Sequence, residues 1–196
     1  MIGKVKIRHL FLLAWLAALS TKAQVSSENY VQTTERISDT QVLSTTEYYD
    51  GLGRPFEMVE QKKTPDGANL IHLKEYDGLG RDWKTWLPVK DASDFLSISA
   101  ARSQGNNQYR DSHAFSLTEY DGSPLNRINT VEGVGAEWTS HPLKKDYLVN
   151  TSKYPLNCKY YRVSMQGQLQ DKGYYPEGRL YVTKTTDENG NESYEF

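Results

Sequence analysis

The chain has 196 residues, of which 37% are hydrophobic and 24% charged, with a formal net charge of −2. That length accommodates one compact domain and leaves little room for a second large one. A mildly acidic chain with no basic stripe has no electrostatic means of holding nucleic acid or an anionic membrane surface, which excludes both partner classes.

Residues 1–23 form a separate object, in which Lys4, Lys6, Arg8 and His9 lead into the apolar run LFLLAWLAAL and then into polar STKA. This is the pattern of a secretory signal peptide cut after Ala23, because about 10 apolar residues cannot cross a hydrocarbon core that needs about 20. Cleavage removes four bases and no acid, so the net charge moves from −2 to −6. The product is expected to be secreted or held at the cell surface, with no membrane span. Cys158 is the single cysteine, which rules out an intramolecular disulfide, and it lies too far from the cleavage point to accept a lipid. It reads as a small buried or half-buried thiol.

From residue 24 onward the composition is that of short strands broken by Gly, Pro, Asp and Asn. QVLSTTEYY, RPFEMVEQKK, NLIHLKEY and RDWKTWLPV are strand candidates, separated by DGLG, TPDGAN and a second DGLG. Residues 24–90 therefore predict a four-strand antiparallel meander made of two hairpins. The hexapeptide YDGLGR occurs twice, at residues 49–54 and 76–81. Its chemistry predicts that Asp50 and Asp77 cap loop amides and that Gly51, Gly53, Gly78 and Gly80 supply the positive φ angles that reverse the chain. Tyr49 and Arg54, like Tyr76 and Arg81, then flank the loop on its two strands. A shift of 27 residues places Tyr49 on Tyr76 and Phe56 on Trp83, so aromatic ladders are expected across stacked hairpins.

Residues 91–115 predict a short helix or irregular insertion. In KDASDFLSISAARSQ, Ser93 or Asp94 would cap a segment that buries Phe95, Ile98 and either Ala101 or the stem of Arg102, with GNNQYRDS as loop. Residues 116–196 read as a second β-rich stretch. It holds a third Tyr120-Asp121 pair with an altered loop, SPLNR, and closes with Gly178, Arg179, Asp187, Gly190 and Tyr194. The fold class is thus mainly β, antiparallel hairpins with one short helix and an N-terminal signal-peptide helix.

Tyr-Asp followed by Gly-Arg and a β-prone strand resembles the YD repeat of bacterial RHS-type secreted proteins. The last stretch, YYPEGRLYVTKTTDENGNESYEF, resembles one such repeat with Tyr175-Pro176 in place of its leading Tyr-Asp. The order of signal peptide, paired YDGLGR hairpins, TWLPV, SPLNR, VEGVGAEW and DENGNESYEF is similar to the N-terminal domain of unknown function that precedes the RHS repeats in Bacteroidetes-type proteins. The likeness covers residues 29–196. It implies a large exported protein whose repeats wind into a hollow β-shell, which in some members encloses a toxic domain.

No constellation of catalytic or metal-binding residues stands out. His72, His113 and His141 lack any spacing that would gather metal ligands, and DENGN lacks the rest of an EF-hand loop. No GxSxG or phosphate-binding glycine loop occurs. The expectation is therefore a non-enzymatic structural or interaction segment without cofactor or metal. Its partner would be the remaining YD-repeat shell, or another protein strand, at the C-terminal edge formed by SYEF. The alternative is an adhesin or carbohydrate-binding module that stacks glycan rings on exposed aromatics, which make up 12% of the chain. Trp83 and Trp86 fall on opposite faces of a strand, so at least one is expected to be buried. The triplets at Asn150 and Asn191 that match a glycosylation acceptor are read as exposed loops.

Overall fold

The computed structural model describes residues 28–196. The signal-peptide segment falls outside the described residues, among which no helix is long and apolar enough to cross a membrane. The chain folds as a mainly antiparallel β protein. Its first strands are β1 (Asn29–Arg36), β2 (Val42–Tyr49), β3 (Pro55–Glu60), β4 (Asn69–Tyr76), β5 (Asp82–Trp86) and the short β6 (Val89–Asp91). Helix α1 (Ile98–Tyr109) follows, then β7 (Phe115–Tyr120), β8 (Ile128–Glu132), a single 3-10 turn (Ala136–Ser140) and β9 (Leu143–Val149). The chain ends with β10 (Lys159–Val163), β11 (Leu169–Tyr174), β12 (Tyr181–Thr186) and β13 (Glu192–Glu195).

Eleven strands make one sheet in the order β1-β2-β3-β4-β5-β7-β8-β9-β12-β13, with β6 also paired to β4. Strands β10 and β11 pair only with each other, as a hairpin inserted between β9 and β12. The predicted four-strand meander is present as β2 to β5. Strand β1, eight residues exposed at every position, precedes the predicted meander and is not among the strand candidates. With no apolar alternation, NYVQTTER carries no period-2 signal, and its place in the sheet comes from an unbroken eight-residue register with β2.

The core lies where residues 87–114 cross over one face of the early sheet. Tyr48, Phe56, Val59, Ile71, Leu73, Trp86, Val89, Ala101, Ala114 and Phe115 form a single buried cluster. Trp86 is buried and Trp83 only half-buried, as the alternation of an extended strand requires. Trp86 donates its indole N–H to Glu75 at 2.7 Å, and Glu75 is held in turn by the Arg102 guanidinium, whose Nε lies 2.8 Å away.

Helix α1 differs from its prediction. Ser97, not Ser93 or Asp94, is the N-cap, and its hydroxyl accepts the Ala100 N–H at 3.3 Å. The helix runs on through GNNQY to Tyr109 and buries Ala101 and Gly105, while Ile98 stays 40% exposed. The reason is close approach: a Cβ at Gly105 would stand 3.3 Å from Trp86 Cε3, so the helix turns its small-residue face to the indole. Phe95, just before the helix, does pack inward, with its ring centroid 4.9 Å from that of Tyr48.

Candidate functional site

The hexapeptide builds one five-residue loop, used repeatedly. In the first copy the Asp50 N–H donates to the Arg54 carbonyl at 3.0 Å and the Gly53 N–H to the Asp50 carbonyl at 2.9 Å. The Asp50 carboxylate accepts the N–H groups of Leu52 and Arg54 through Oδ1, and the Arg54 Nε at 2.8 Å through Oδ2. The second copy repeats every one of these bonds with Asp77, Leu79, Gly80 and Arg81. The backbone N–H and then the guanidinium of Arg54 hold the Asp50 carboxyl below its ordinary value, and Arg81 does the same for Asp77. Gly53 and Gly80 sit at φ of 76° and 83°. Gly51 and Gly78 do not have positive φ, which corrects the expectation for them; the reversal needs one left-handed residue, and the bulge that follows the turn supplies it.

Later turns keep the scheme where the sequence motif fades. The Asp121 N–H closes on the Arg127 carbonyl at 2.8 Å, the Ser123 hydroxyl takes the place of the arginine on the carboxylate, and Asn126 adopts φ of 54° where glycine stood. The Asp187 N–H closes on the Asn191 carbonyl at 2.9 Å, Gly190 has φ of 82°, and the Asn191 amide bonds the Asp187 carboxylate.

Between β9 and β12 the aspartate is replaced by Asn150, which is fully buried. Its N–H donates to the Leu180 carbonyl, its carbonyl accepts the Gly178 N–H, and its side-chain oxygen accepts the N–H groups of Arg179 and Leu180 at 2.8 Å. Its amide nitrogen donates to the carbonyls of Tyr175 and Pro176. Gly178 and Arg179 therefore close a turn opened by Asn150, with the β10–β11 hairpin spliced into the loop. Tyr175-Pro176 is not the start of that turn, a correction to the reading of the last stretch. Asn150 is also no exposed acceptor triplet, since every polar atom of its side chain is occupied. Two things hide this turn: Val149-Asn150 stands where a Tyr-Asp pair is sought, and the inserted hairpin puts the partner half some 30 residues on.

Successive turns on one rim of the sheet are joined by a ladder. The Arg54 guanidinium lies 4.5 Å over the Tyr76 ring, Arg81 lies 4.4 Å over Tyr120, and Arg127 lies 5.0 Å over Tyr147. Each of those tyrosines donates its hydroxyl back to the residue after the arginine: Tyr76 to Pro55 at 2.6 Å, Tyr120 to Asp82 at 2.9 Å and Tyr147 to Ile128 at 3.1 Å. Tyr49, which no such arginine precedes, donates to Glu47 instead. Gly80 has a second constraint, because a Cβ there would fall 2.7 Å from Arg54 Nη1. Arg54 and Arg81 are thus fixed within their own turns by aspartate, and all three arginines present their flat faces to the next hairpin, an arrangement that orders neighbours.

The histidines stay apart. His72 faces Glu60 at 3.2 Å, His113 faces Glu132 at 3.3 Å and His141 bonds Ser140. Among the described residues no group of three or more His, Cys, Asp or Glu is placed to hold a metal ion. Cys158 is a half-buried free thiol.

Residues 20–151, about two thirds of the chain, match a family model described as a domain of unknown function, DUF6443. No curated protein and no solved structure matches.

Proposed function

The chain belongs to the DUF6443 family, and we propose that it acts as a non-enzymatic structural and interaction segment at the N-terminal side of an exported RHS/YD-repeat protein. The observation that carries this reading is the arginine–tyrosine ladder. Three successive hairpins each offer an oriented guanidinium to the strand pair that follows and receive a hydroxyl bond in return. Such a contact is additive along a row of hairpins and suits a protein that grows by repetition. Export follows from the segment of residues 1–23, and the partner at the β13 edge is the next hairpin of the shell.

The test joins this chain to the hairpin that follows it in a YD-repeat protein and compares thermal unfolding with and without the extension. The reading expects a higher midpoint for the extended protein and no retention of sugars on a glycan array. An unchanged midpoint together with glycan binding would replace it with the carbohydrate-binding alternative. Intact-mass measurement of exported protein, expected to begin at Gln24, tests the export component separately.

A further inference from the structure

The sheet has a second edge, at β1, and its chemistry is independent of the shell reading. Among the described residues β1 pairs with β2 alone. It is twice as long as β13, eight residues against four, and all eight are exposed. Natural edge strands are blunted by lysine, proline, bulges or shortness. None of these occurs in NYVQTTER, whose register with β2 runs without a shift.

The register shows which backbone groups face outward. The Ile37 N–H donates to the Gln41 carbonyl at 2.9 Å, so residues 37 and 41 form a hydrogen-bonded pair. Alternation in an antiparallel ladder then assigns the bonds to β2 to the odd residues, from Glu35 to Asn29. The Gln61 N–H bonding the Ser44 carbonyl agrees, since it gives the even residues of β2 to β3. Tyr30, Gln32, Thr34 and Arg36 are left with N–H and C=O groups directed away from the sheet.

We infer that β1 is a homodimer edge, pairing antiparallel with β1 of a second copy about a two-fold axis through Gln32. In that register Gln32 meets Gln32 of the second copy as a hydrogen-bonded pair, and Tyr30 meets Thr34. Glu28, the half-buried bend residue just before β1, then comes opposite Arg36 of the second copy, once at each end. This charge match selects the occupant: neither Glu28 nor Arg36 makes an ion pair within the described chain, and two-fold pairing satisfies both twice. Even residues meet even residues, so the core-side faces of the two sheets stay on the same side and one continuous sheet results. Eight backbone positions bury less than the roughly 1,200 Å² of a standard interface, which makes the dimer weak and reversible.

The experiment is sedimentation equilibrium of the full chain and four variants. Glu28→Lys and Arg36→Glu each place like charges opposite one another at both ends and are expected to weaken association by about tenfold or more. An equal mixture of the two variants, and the doubly substituted Glu28→Lys/Arg36→Glu chain, restore opposite charges and are expected to regain the wild-type constant. Gln32→Pro removes an outward N–H that β2 does not use, and is expected to abolish association with an unchanged circular dichroism spectrum. A wild type that stays monomeric at sub-millimolar concentration would overturn the inference. So would charge variants that the mixture fails to rescue, whatever the folding of the proline variant. Neither result bears on the extension test at β13, so the two claims fail separately.

Discussion

Up to Phe115 the sheet is covered on one face by the 87–114 crossover and owns the whole buried apolar cluster, whereas after Phe115 the described chain buries only Asn150 and Val182. Yet the turn closure and the arginine–tyrosine contact continue through both regions, from Asp50 and Arg54 to Asp121, Arg127 and Tyr147, even though in the Asp121 turn Ser123 replaces the arginine on the carboxylate and Asn126 replaces the glycine. Hairpin geometry here is therefore set locally, by an aspartate or asparagine closing its own turn and an arginine ordering the next. The core is a separate addition, supplied by one insertion over a few strands. The later strands rely on neighbour contacts, as units of a repeating sheet do.

The sharpest way to break this comparison is to truncate a large apolar side chain in each region. Trp86→Ala empties the core and strands Glu75 without its indole partner, and is expected to cost about 3–5 kcal/mol in chemical denaturation. Leu148→Ala in the open region, where 37% of the residue already meets solvent, is expected to cost under about 1 kcal/mol. Equal losses would contradict the division.

A pH series sharpens it further. Glu57 is buried beneath the crossover, with one oxygen accepting the Leu96 N–H at 3.0 Å and the other without a partner. Burial pushes its carboxyl up to about 7 from 4.5. The folded state then binds a proton that the unfolded state has released, so stability falls as pH rises from about 4.5 and levels off above about 7. A shift of that size corresponds to at most about 3 kcal/mol. Glu57→Gln is expected to flatten this fall in a denaturation series between pH 5 and 8. Asp50, Asp77 and Asp187, with carboxyls held low by their loops, act in the opposite sense: their contribution is present above about 4 and lost as pH falls further.

In the open region the largest single-residue effect is expected at Asn150. Asn150→Ala leaves two N–H groups and two carbonyls unpaired at a fully buried site, for a loss of about 2 kcal/mol in thermal or chemical unfolding. Smaller effects separate the glycines. Gly80→Ala is strained by φ of 83° and by the Arg54 guanidinium, and is expected to cost about 1–2 kcal/mol. Gly51→Ala, with open space around its Cβ and no positive φ, is expected to leave the thermal midpoint unchanged.

What could be read in advance follows the same line. Asp50, Gly53 and their repeats were legible because a turn is closed by residues adjacent in sequence, and the flanking strands of β2 to β5 carry apolar alternation. Strand β1 was not, since a wholly exposed polar strand has no periodic signature. Gly105 falls in GNNQYRDS, a stretch that reads as loop because nothing local shows that Trp86 needs a residue without a side chain there. Asn150 escaped because its turn is split by a hairpin, and the ladder escaped because Arg81 and Tyr120 lie far apart in sequence and meet only through the sheet.

The central claim is that each arginine couples its turn to the next hairpin. A double-mutant cycle on Arg81→Met and Tyr120→Leu, read by equilibrium denaturation, tests it directly. The account predicts a favourable coupling of about 0.5–1 kcal/mol between the two side chains. Substitution costs that add to within about 0.3 kcal/mol would show that the ladder contributes no stabilising link between hairpins.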